Sequence, residues 1–459
     1  MSLVLVPLLG LAMSPLSLPD AVERALARDS TLAALAAQQD AARSSADAVR
    51  ANYGPKLRLE GNVIVWDDAQ TVSFGGGGAG FPALPSPADP YQEAVLGIQQ
   101  ALGGLGTPTT VREQVTAQAT VQVVQPLAGL YAVNRGARAA DLGVEAARRQ
   151  SSTRRRSVEL ETVQGYFRTL QAQALARAAA QQVESLESQE KRILSLFANG
   201  VVGKNDVLRL QVGLAAARQQ VLAANGGVRQ AQAALAMQVG ATPDERFELS
   251  PAAGDLESAA VPALDSARER AAAQRPEVAE LSTRVQQSEA GEEVARAKLL
   301  PDVNLIAQYD HTEGNTFQAS DSFFGGLFLS WTAWEWGATA RQADAAVAQT
   351  EATRATLEQV RKGVALEVES VHVQLETADS AIGVAEGAVA QAEENLRLER
   401  ARLEAQQATS GDLIDAETAL LQARVNLENA RYDRLIARAR LRAAMGQPIL
   451  DTTSTGVRP

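Results

Sequence analysis

Few side chains in this sequence could carry out chemistry at a site. The chain has no cysteine, which excludes disulfides, thiolate metal sites, a catalytic thiol and lipid attachment through a cysteine. Only His311 and His372 offer imidazole, and neither has the partners that a metal site needs. No Ser/His/Asp set and no paired-carboxylate cleft stands out. The sequence therefore predicts no catalytic residue, no metal and no cofactor, and it disfavours an enzyme.

Three aspartates lie near the start of predicted helices. Asp412 follows Thr409 by three residues at the start of a predicted helix, and Asp415 lies in the same first turn. An acid in this position caps the helix and interacts favourably with its dipole. Asp206 begins an earlier helix in the same way. Capping alone could explain these residues, so any further role depends on the elements that carry them.

Composition indicates long, closely packed helices. Of the 459 residues only 4% are aromatic, while alanine, glutamine, glutamate, arginine and leucine recur at helical spacing. The formal charge of -11 disfavours nucleic acid as a partner, because phosphates attract a basic surface.

One apolar run, Leu3 to Met13, has the length of a signal-peptide hydrophobic region, although no Lys or Arg precedes it. We therefore expect residues 1–17 to be an export segment. No other apolar run approaches the roughly 20 residues of a membrane helix, so any membrane crossing must be by strands.

The chain contains an internal repeat. Sliding it over itself by 246 positions, and then by 206, superposes identical residues without a gap. Such pairs include Leu18 with Leu264, Arg24 with Arg270, Pro55 with Pro301, Asp206 with Asp412 and Gly240 with Gly446. The repeat predicts one structural unit over 18–262, a second over 263–446 and a tail over 447–459. Each unit is expected to run helix, strand, loop, strand, very long helix, tight turn, helix.

Strands are predicted where residues alternate at period two: Leu57–Trp66, from Ala117, Asp302–Asp310 and Gly325–Trp334. Their lengths approach those of tilted transmembrane β-strands, and alternation suits a wall with lipid on one side and water on the other. Because open sheet edges do not survive in hydrocarbon, other chains would have to close the barrel.

Very long helices are predicted where proline is absent, from Ala137 to about Phe197 and from Arg341 to about Gln406. Helices of these lengths would extend for roughly 90 to 100 Å. The shorter predicted helices are Leu18–Asn52, Asp206–Gly240, Leu264–Ala297 and Asp412–Gly446.

Heptad spacing predicts how the last helix packs. Its seam steps alternately by three and four residues, with a second apolar stripe beside it through Ile414, Leu421 and Leu435. The seam consists of Leu413, Ala416, Leu420, Ala423, Leu427, Ala430, Arg434, Ala437, Leu441 and Ala444. Two stripes give contacts to two neighbours, which favours a cylinder wall over a solid bundle. An antiparallel coiled-coil rod would explain one stripe but neither the second stripe nor the strands.

Several segments in this order resemble the TolC-like outer-membrane efflux proteins. They are ANYGPKLRLEGN and AKLLPDVNLIAQY at helix-to-strand transitions, QPL from Gln125, LSWTAWEWG from Leu329, and the turns FANGVVGKNDVL from Phe197 and EAQQATSGDLIDAE from Glu404. The resemblance covers essentially the whole chain after Leu18.

This resemblance implies a mixed α and β, mainly α fold: a homotrimeric α-helical barrel of long coiled-coil hairpins that continues into a 12-stranded transmembrane β-barrel, with four strands per chain. It also implies a passive exit duct in the outer membrane with its helices in the periplasm. A periplasmic adaptor would meet the helical turns and link the duct to an inner-membrane transporter. The turn residues are Gly200, Val201, Val202, Gly203 and Lys204, with Ala408, Thr409, Ser410 and Gly411.

The resemblance further implies a pore constriction formed by Asp412 and Asp415, with Asp206 helping to hold the mouth shut. Like charges that face one another raise each other's proton affinity and attract cations. The tyrosine and arginine that precede this aspartate pair in the best-known family member are replaced by Leu403 and Ala408.

The indoles of Trp66, Trp331, Trp334 and Trp336 lie at one end of predicted strands, where such side chains anchor a protein at the membrane interface. Ordinary packing is the alternative explanation. For the whole chain, the second hypothesis is a periplasmic coiled-coil adaptor or scaffold without a membrane barrel.

Overall fold

The computed structural model describes residues 14–72, 109–251, 255–258, 260–405 and 407–450, together with 91, 93–95, 97 and 98. Most of the predicted export segment, of the long loop in the first repeat and of the C-terminal tail lies outside these residues. The chain divides into two compact units. The first, here called the helical unit, runs to Arg43 and resumes over Leu142–Gln287 and from Thr350, and the second comprises Ser44–Asp141 and Ser288–Gln349.

The protein is mainly helical, with one principal antiparallel sheet. The helices are α1 Leu18–Arg28, α2 Ser30–Arg50, α3 Gly129–Ala198, α4 Lys204–Gln238, α5 Asp255–Ser258, α6 Leu264–Gln274, α7 Pro276–Ala297, α8 Ala338–Glu404 and α9 Ser410–Ala444. The strands are β1 Ser14–Leu16, β2 Lys56–Val65, β3 Gln70–Val72, β4 Thr109–Pro126, β5 Phe247–Leu249, β6 Asp302–Asn315 and β7 Asp321–Ser330. These elements confirm the mixed, mainly α fold class.

The two long helices are confirmed. α3 has 70 residues and α8 has 67, and the returning helices α4 and α9 begin and end within two residues of their predicted bounds. Gly240 and Gly446 lie just beyond these helices with φ values of 69° and 73°, a left-handed conformation that glycine adopts without strain. No helix in the described ranges combines the length and apolar character that a membrane-spanning helix requires.

The prediction of one continuous opening helix in each half was wrong. The first is interrupted at Asp29 and the second at Arg275, and both residues have extended backbone angles. Arg275 precedes Pro276, and a residue before proline is pushed out of the helical region. At Asp29 the carboxylate instead accepts a hydrogen bond of 2.7 Å from the Leu32 backbone N–H, which starts a new helix.

The predicted heptad seams are largely confirmed. Of the seam in α9, Leu413, Ala416, Leu420, Ala423, Ala430, Ala437, Leu441 and Ala444 are buried. Near the helical turns they pack against the equivalent seam of α4, as well as α3 and α8, in one apolar cluster. A second cluster contains the aromatic core of the helical unit around Tyr166, Phe167 and Phe247.

The strand β1 belongs to this second cluster. It pairs in parallel with β5, and Leu16 is 1% exposed. Ser14–Leu16, which fall within the predicted export segment, therefore form part of the folded protein.

The principal sheet has the order β2-β4-β6-β7, with β3 also paired to β4. All of these pairs are antiparallel. Several bounds differ from prediction: β4 begins at Thr109 because its first part pairs with β3, β6 continues to Asn315, and β7 begins at Asp321 and ends at Ser330, opposite Asp302. Pro301 precedes Asp302 and has no N–H to extend the ladder, so Trp331–Trp334 lie outside the strand.

Candidate functional site

The first helical turn lies between α3 and α4. Gly200 has a φ of 75°, and the Val201 N–H donates to the Leu196 carbonyl oxygen over 2.9 Å, which closes the end of α3. Gly203 is the N-cap of α4 and offers no side chain for capping. Gly203 and Lys204 are exposed, and Val201 and Val202 are half-buried. The turn therefore presents a compact, accessible surface.

The second turn is ordered by a capping box between Thr409 and Asp412. The Thr409 backbone N–H donates to Asp412 Oδ2 over 2.8 Å, and the Asp412 N–H donates to Thr409 Oγ1 over 3.3 Å. The hydrogen bonds from the Thr409 backbone N–H and then its hydroxyl stabilise the carboxylate and lower the pKa of Asp412. Within one chain, Asp412 is thus a charged cap; a ring of like charges would shift its pKa in the opposite direction.

Asp206 connects the two turns. Its Oδ1 lies 3.5 Å from the Ser410 backbone nitrogen and 3.4 Å from Ser410 Oγ, both of which can donate to it. Ser410 is fully buried, so this contact joins the start of α4 to the start of α9. Asp206 and Asp412, two of the three predicted site residues, thus contact adjacent residues of the second turn, Ser410 and Thr409.

Asp415 behaves differently from Asp412. It is exposed and makes no hydrogen bond or ion pair with another residue in the described part of the chain. The two aspartates lie in the same stretch of α9, but only Asp412 has a structural role that the local contacts explain.

The positions of Leu403 and Ala408 provide apolar packing. Leu403 is 3% exposed and lies in the cluster with Leu413 and Ala416, against which Ala408 also packs. Here the residues before the aspartate pair stabilise the turn through buried apolar surface and not through side-chain hydrogen bonds.

A polar cluster that was not predicted from the sequence joins α3, α8 and α9. Arg400 Nη2 on α8 lies 2.7 Å from Glu417 Oε1 on α9 and 2.8 Å from Ser185 Oγ on α3, and the Ser185 hydroxyl also donates to Glu417. Glu417 is 4% exposed. The available signal was a charged residue directly after the seam position Ala416, on the buried side of α9.

The sheet has two chemically different faces. Because antiparallel partners project to the same side, the register joins Leu59, Val121, Tyr309 and Phe323 in one row across all four strands. The exposed apolar residues of this face are Leu57, Leu59, Val63, Val65, Val115, Val121, Val123, Leu305, Tyr309, Phe323, Leu327 and Leu329. An exposed apolar surface of this extent marks an interaction with lipid or protein.

The opposite face carries a hydrogen-bonded polar ladder. Thr120 Oγ1 donates to Asp310 Oδ1 over 2.6 Å, Gln122 Nε2 donates to Gln308 Oε1 over 2.8 Å, and Gln308 Nε2 donates to Asp310 Oδ2 over 2.9 Å. The alternation predicted from sequence thus produces one apolar and one predominantly polar face.

The tryptophans lie at opposite ends of the sheet. Trp66 follows β2, and its ring stacks 3.8 Å from the Arg112 guanidinium carbon. Trp331 follows β7, which runs antiparallel to β2 by the strand order. Trp331, Trp334 and Trp336 are 62%, 75% and 87% exposed, whereas Trp66 is half-buried. They therefore mark both ends of the strands, and ordinary packing accounts for Trp66 better than for the other three.

No set of three or more His, Cys, Asp or Glu side chains among the described residues is arranged to hold a metal ion. The polar clusters found here are a helix cap, an interhelical ion pair and a strand ladder.

The family model for outer membrane efflux proteins matches residues 21–241 and 267–447. The chain belongs to this family, as its sequence motifs predict. No curated protein matches it in sequence.

Solved structures share the fold. CusC, described as forming a transmembrane channel, is 16% identical, with 97% of this chain and 96% of that chain covered and a TM-score of 0.77. The outer membrane protein VceC of Vibrio cholerae is 18% identical, with coverage of 94% and 97% and a TM-score of 0.74. The MtrE outer membrane channel of Neisseria gonorrhoeae is 17% identical, with coverage of 94% and 89% and a TM-score of 0.71. These neighbours are described as outer-membrane proteins or as channels.

Proposed function

We propose that this protein is a passive outer-membrane exit duct of a tripartite efflux pump or type I secretion system. The observation that carries the proposal is the apolar face of the sheet, where Leu59, Phe323 and Leu329 are 70%, 74% and 69% exposed. Exposure of such a surface to water is unfavourable, whereas its contact with the hydrocarbon of a bilayer is favourable. The polar ladder on the other face suits a water-filled lumen.

Closure of the barrel requires further copies of the chain. In the strand order β2-β4-β6-β7, the outer edges of β2 and β7 are unpaired among the described strands. Unpaired backbone groups are not tolerated in hydrocarbon, and four strands are fewer than the eight of the smallest membrane barrels. A homotrimer that pairs β7 of one chain with β2 of the next would close twelve strands, in agreement with the family resemblance.

The helical turns are the proposed contact with a periplasmic adaptor, which would link the duct to an inner-membrane transporter. The exposure of Gly200, Gly203 and Lys204 to solvent supports this role for the first turn. In the trimer, Asp412 and Asp415 of three chains would form the constriction, and Asp206 would hold it through Ser410. Transport energy would come from the inner-membrane transporter, so the duct needs no catalytic residue or cofactor.

The remaining assignments follow from this arrangement. Trp331, Trp334 and Trp336 would lie at one membrane interface and Trp66 near the other. We propose that the two sequence repeats, 18–262 and 263–446, are equivalent halves of the wall, and that an export signal ends before Ser14, because Ser14–Leu16 pair with β5. The absence of cysteine excludes anchoring by a lipid on that residue.

The test is extraction and conductance. The purified protein should require detergent, migrate as a heat-resistant trimer and conduct ions in planar bilayers of outer-membrane lipid composition. A water-soluble monomer that conducts nothing in the bilayer contradicts the proposal and favours a periplasmic adaptor or scaffold.

A further inference from the structure

A basic cavity of about 390 Å³ lies in the helical unit where α6, the segment before it and the end of α9 meet. The described residues that line it are Ala260, Val261, Pro262, Arg270, Gln274, Leu375, Arg438, Leu441, Arg442, Met445, Gln447 and Pro448. They include three arginines and neither aspartate nor glutamate. In a chain with a formal charge of -11, this concentration of positive charge needs an explanation.

Two of the arginines are held in place by backbone carbonyl groups. Arg438 Nη1 donates to the Leu256 carbonyl oxygen over 3.0 Å and also to the carbonyl of Glu257. Arg442 Nη1 donates to the Ile449 carbonyl oxygen over 3.0 Å. A guanidinium has five N–H donors, and both contacts of Arg438 use Nη1, so they fix the orientation of this group without using all of its donors.

Arg270 makes no hydrogen bond or ion pair with any residue in the described part of the chain. Other arginines of the same region are neutralised: Arg268 binds Asp265 and Glu369, and Arg275 binds Glu277 and Glu367. Arg268 and Arg275 are thus paired with carboxylates, whereas Arg270 is exposed and lines a cavity whose described residues include no carboxylate.

The floor of the cavity is apolar. Leu375, Leu441 and Met445 are 1%, 3% and 2% exposed, and the amides of Gln274 and Gln447 also line the cavity. An apolar floor with a few convergent polar groups is the usual composition of a small-molecule site, and the volume lies within the usual range. Guanidinium groups bind carboxylate and phosphate through paired, charge-assisted hydrogen bonds.

We propose that this cavity binds a small organic anion, with its carboxylate or phosphate group on Arg270 and Arg438 and its apolar part against Leu375 and Leu441. The site is separate from the helical turns and from the strands, and it does not rest on the proposed export function.

The test is isothermal titration of the full-length protein in detergent with inorganic phosphate and with benzoate, at constant ionic strength maintained with chloride. We expect saturable binding of at least one probe. Saturation by phosphate identifies recognition of the oxyanion group, and tighter binding of benzoate indicates that the apolar floor contributes.

Arg270→Gln should weaken binding about tenfold or more, because a charge-assisted contact is lost. The Arg270 side chain has no hydrogen-bond or ion-pair partner among the described residues, so its variant should melt like the wild type. Arg438→Gln should also weaken binding, with thermal melting recorded to detect loss of its carbonyl contacts. Arg268→Gln is the matched control, since Arg268 lies on the same helix outside the cavity, and it should leave affinity unchanged.

Two results overturn the proposal: no saturable binding of either probe, or equal weakening by Arg268→Gln and Arg270→Gln. Neither result depends on whether the protein conducts ions in a bilayer.

Discussion

Arg400 and Glu417 form an ion pair of 2.7 Å between α8 and α9, with the carboxylate almost completely excluded from water. Ser185 on α3 also contacts both partners, so the pair fixes three helices at one level. In the first half, the residues 206 positions earlier are Leu194 and Gln211. The first half therefore has no ion pair at the positions equivalent to Arg400 and Glu417.

Removal of Arg400 should destabilise the protein more than its partial exposure suggests. Arg400→Ala leaves the buried Glu417 carboxylate with only the Ser185 hydroxyl, and we expect a loss of about 2 kcal/mol after allowance for solvent screening at the arginine. Circular dichroism of thermal or urea unfolding in detergent measures the change.

The exposed pair formed by Arg424 and Glu393 on the same two helices is the control. It spans 2.9 Å, with both side chains more than 40% exposed, and Glu393→Ala should cost less than about 1 kcal/mol. Equal effects of the two variants would show that burial of Glu417 has no energetic consequence.

The sequence was sufficient to predict those elements that depend on local patterns. Absence of proline predicted α3 and α8, heptad spacing predicted the seam around Leu413 and Leu420, and period-two alternation predicted the sheet faces. The predicted helix bounds were wrong where a single residue has extended backbone angles and interrupts the helix, at Asp29 and at Arg275 before Pro276.

The site was less predictable because it depends on contacts between distant residues. The capping box of Thr409 and Asp412 is a local motif and was predicted. The contact of Asp206 with Ser410 joins residues 204 positions apart, and the pair of Arg400 with Glu417 joins two helices. The contact of Asp206 with Ser410 has no signature in the sequence around its members, and for the ion pair the sequence shows only a charged residue directly after the seam position Ala416.

A prediction about the proposed constriction follows from the difference between its two aspartates. Asp415→Asn removes a charge that has no structural partner among the described residues, so it should weaken cation preference in planar bilayers while thermal stability stays unchanged. Asp412→Ala with Asp415→Ala should weaken this preference further or raise single-channel conductance. Unchanged selectivity and conductance in both variants would remove Asp412 and Asp415 from the pore.

The capping box should also make the start of α9 sensitive to acid. The hydrogen bonds from Thr409 lower the pKa of Asp412 below the ordinary value near 3.8. A carboxyl group with a lowered folded-state pKa adds stability above its unfolded pKa, and this stability is lost as pH falls through the folded value. The difference in melting temperature between wild type and Asp412→Asn should thus be constant near neutral pH and shrink below about pH 4. A difference that is the same at pH 3 and pH 7 contradicts this assignment of the cap.

A buried carboxyl group elsewhere in the helical unit should show the opposite sign. Burial raises the pKa of Glu159, although Arg156 and Arg155 oppose this shift. An acid with a raised folded-state pKa destabilises the folded state at neutral pH, and this penalty disappears as pH falls below its ordinary value. Glu159→Gln should therefore raise the melting temperature at pH 7 and have little effect near pH 4. Glu184→Gln, in an exposed position of α3, should change neither, and equal shifts in the two variants would show that burial is not the cause.

The two faces of the sheet should differ in their tolerance of charge. Leu59 lies in the middle of β2 on the apolar face, and Asn62 lies on the polar face of the same strand. If the apolar face contacts lipid, Leu59→Arg should cost about 2 to 4 kcal/mol and reduce the fraction of heat-resistant trimer recovered from outer membranes. Asn62→Arg introduces the same charge three residues away, where water can solvate it, and should assemble like the wild type. Equal loss of trimer in both variants would indicate that β2 does not tolerate arginine on either face, and equal assembly would show that Leu59 does not contact hydrocarbon.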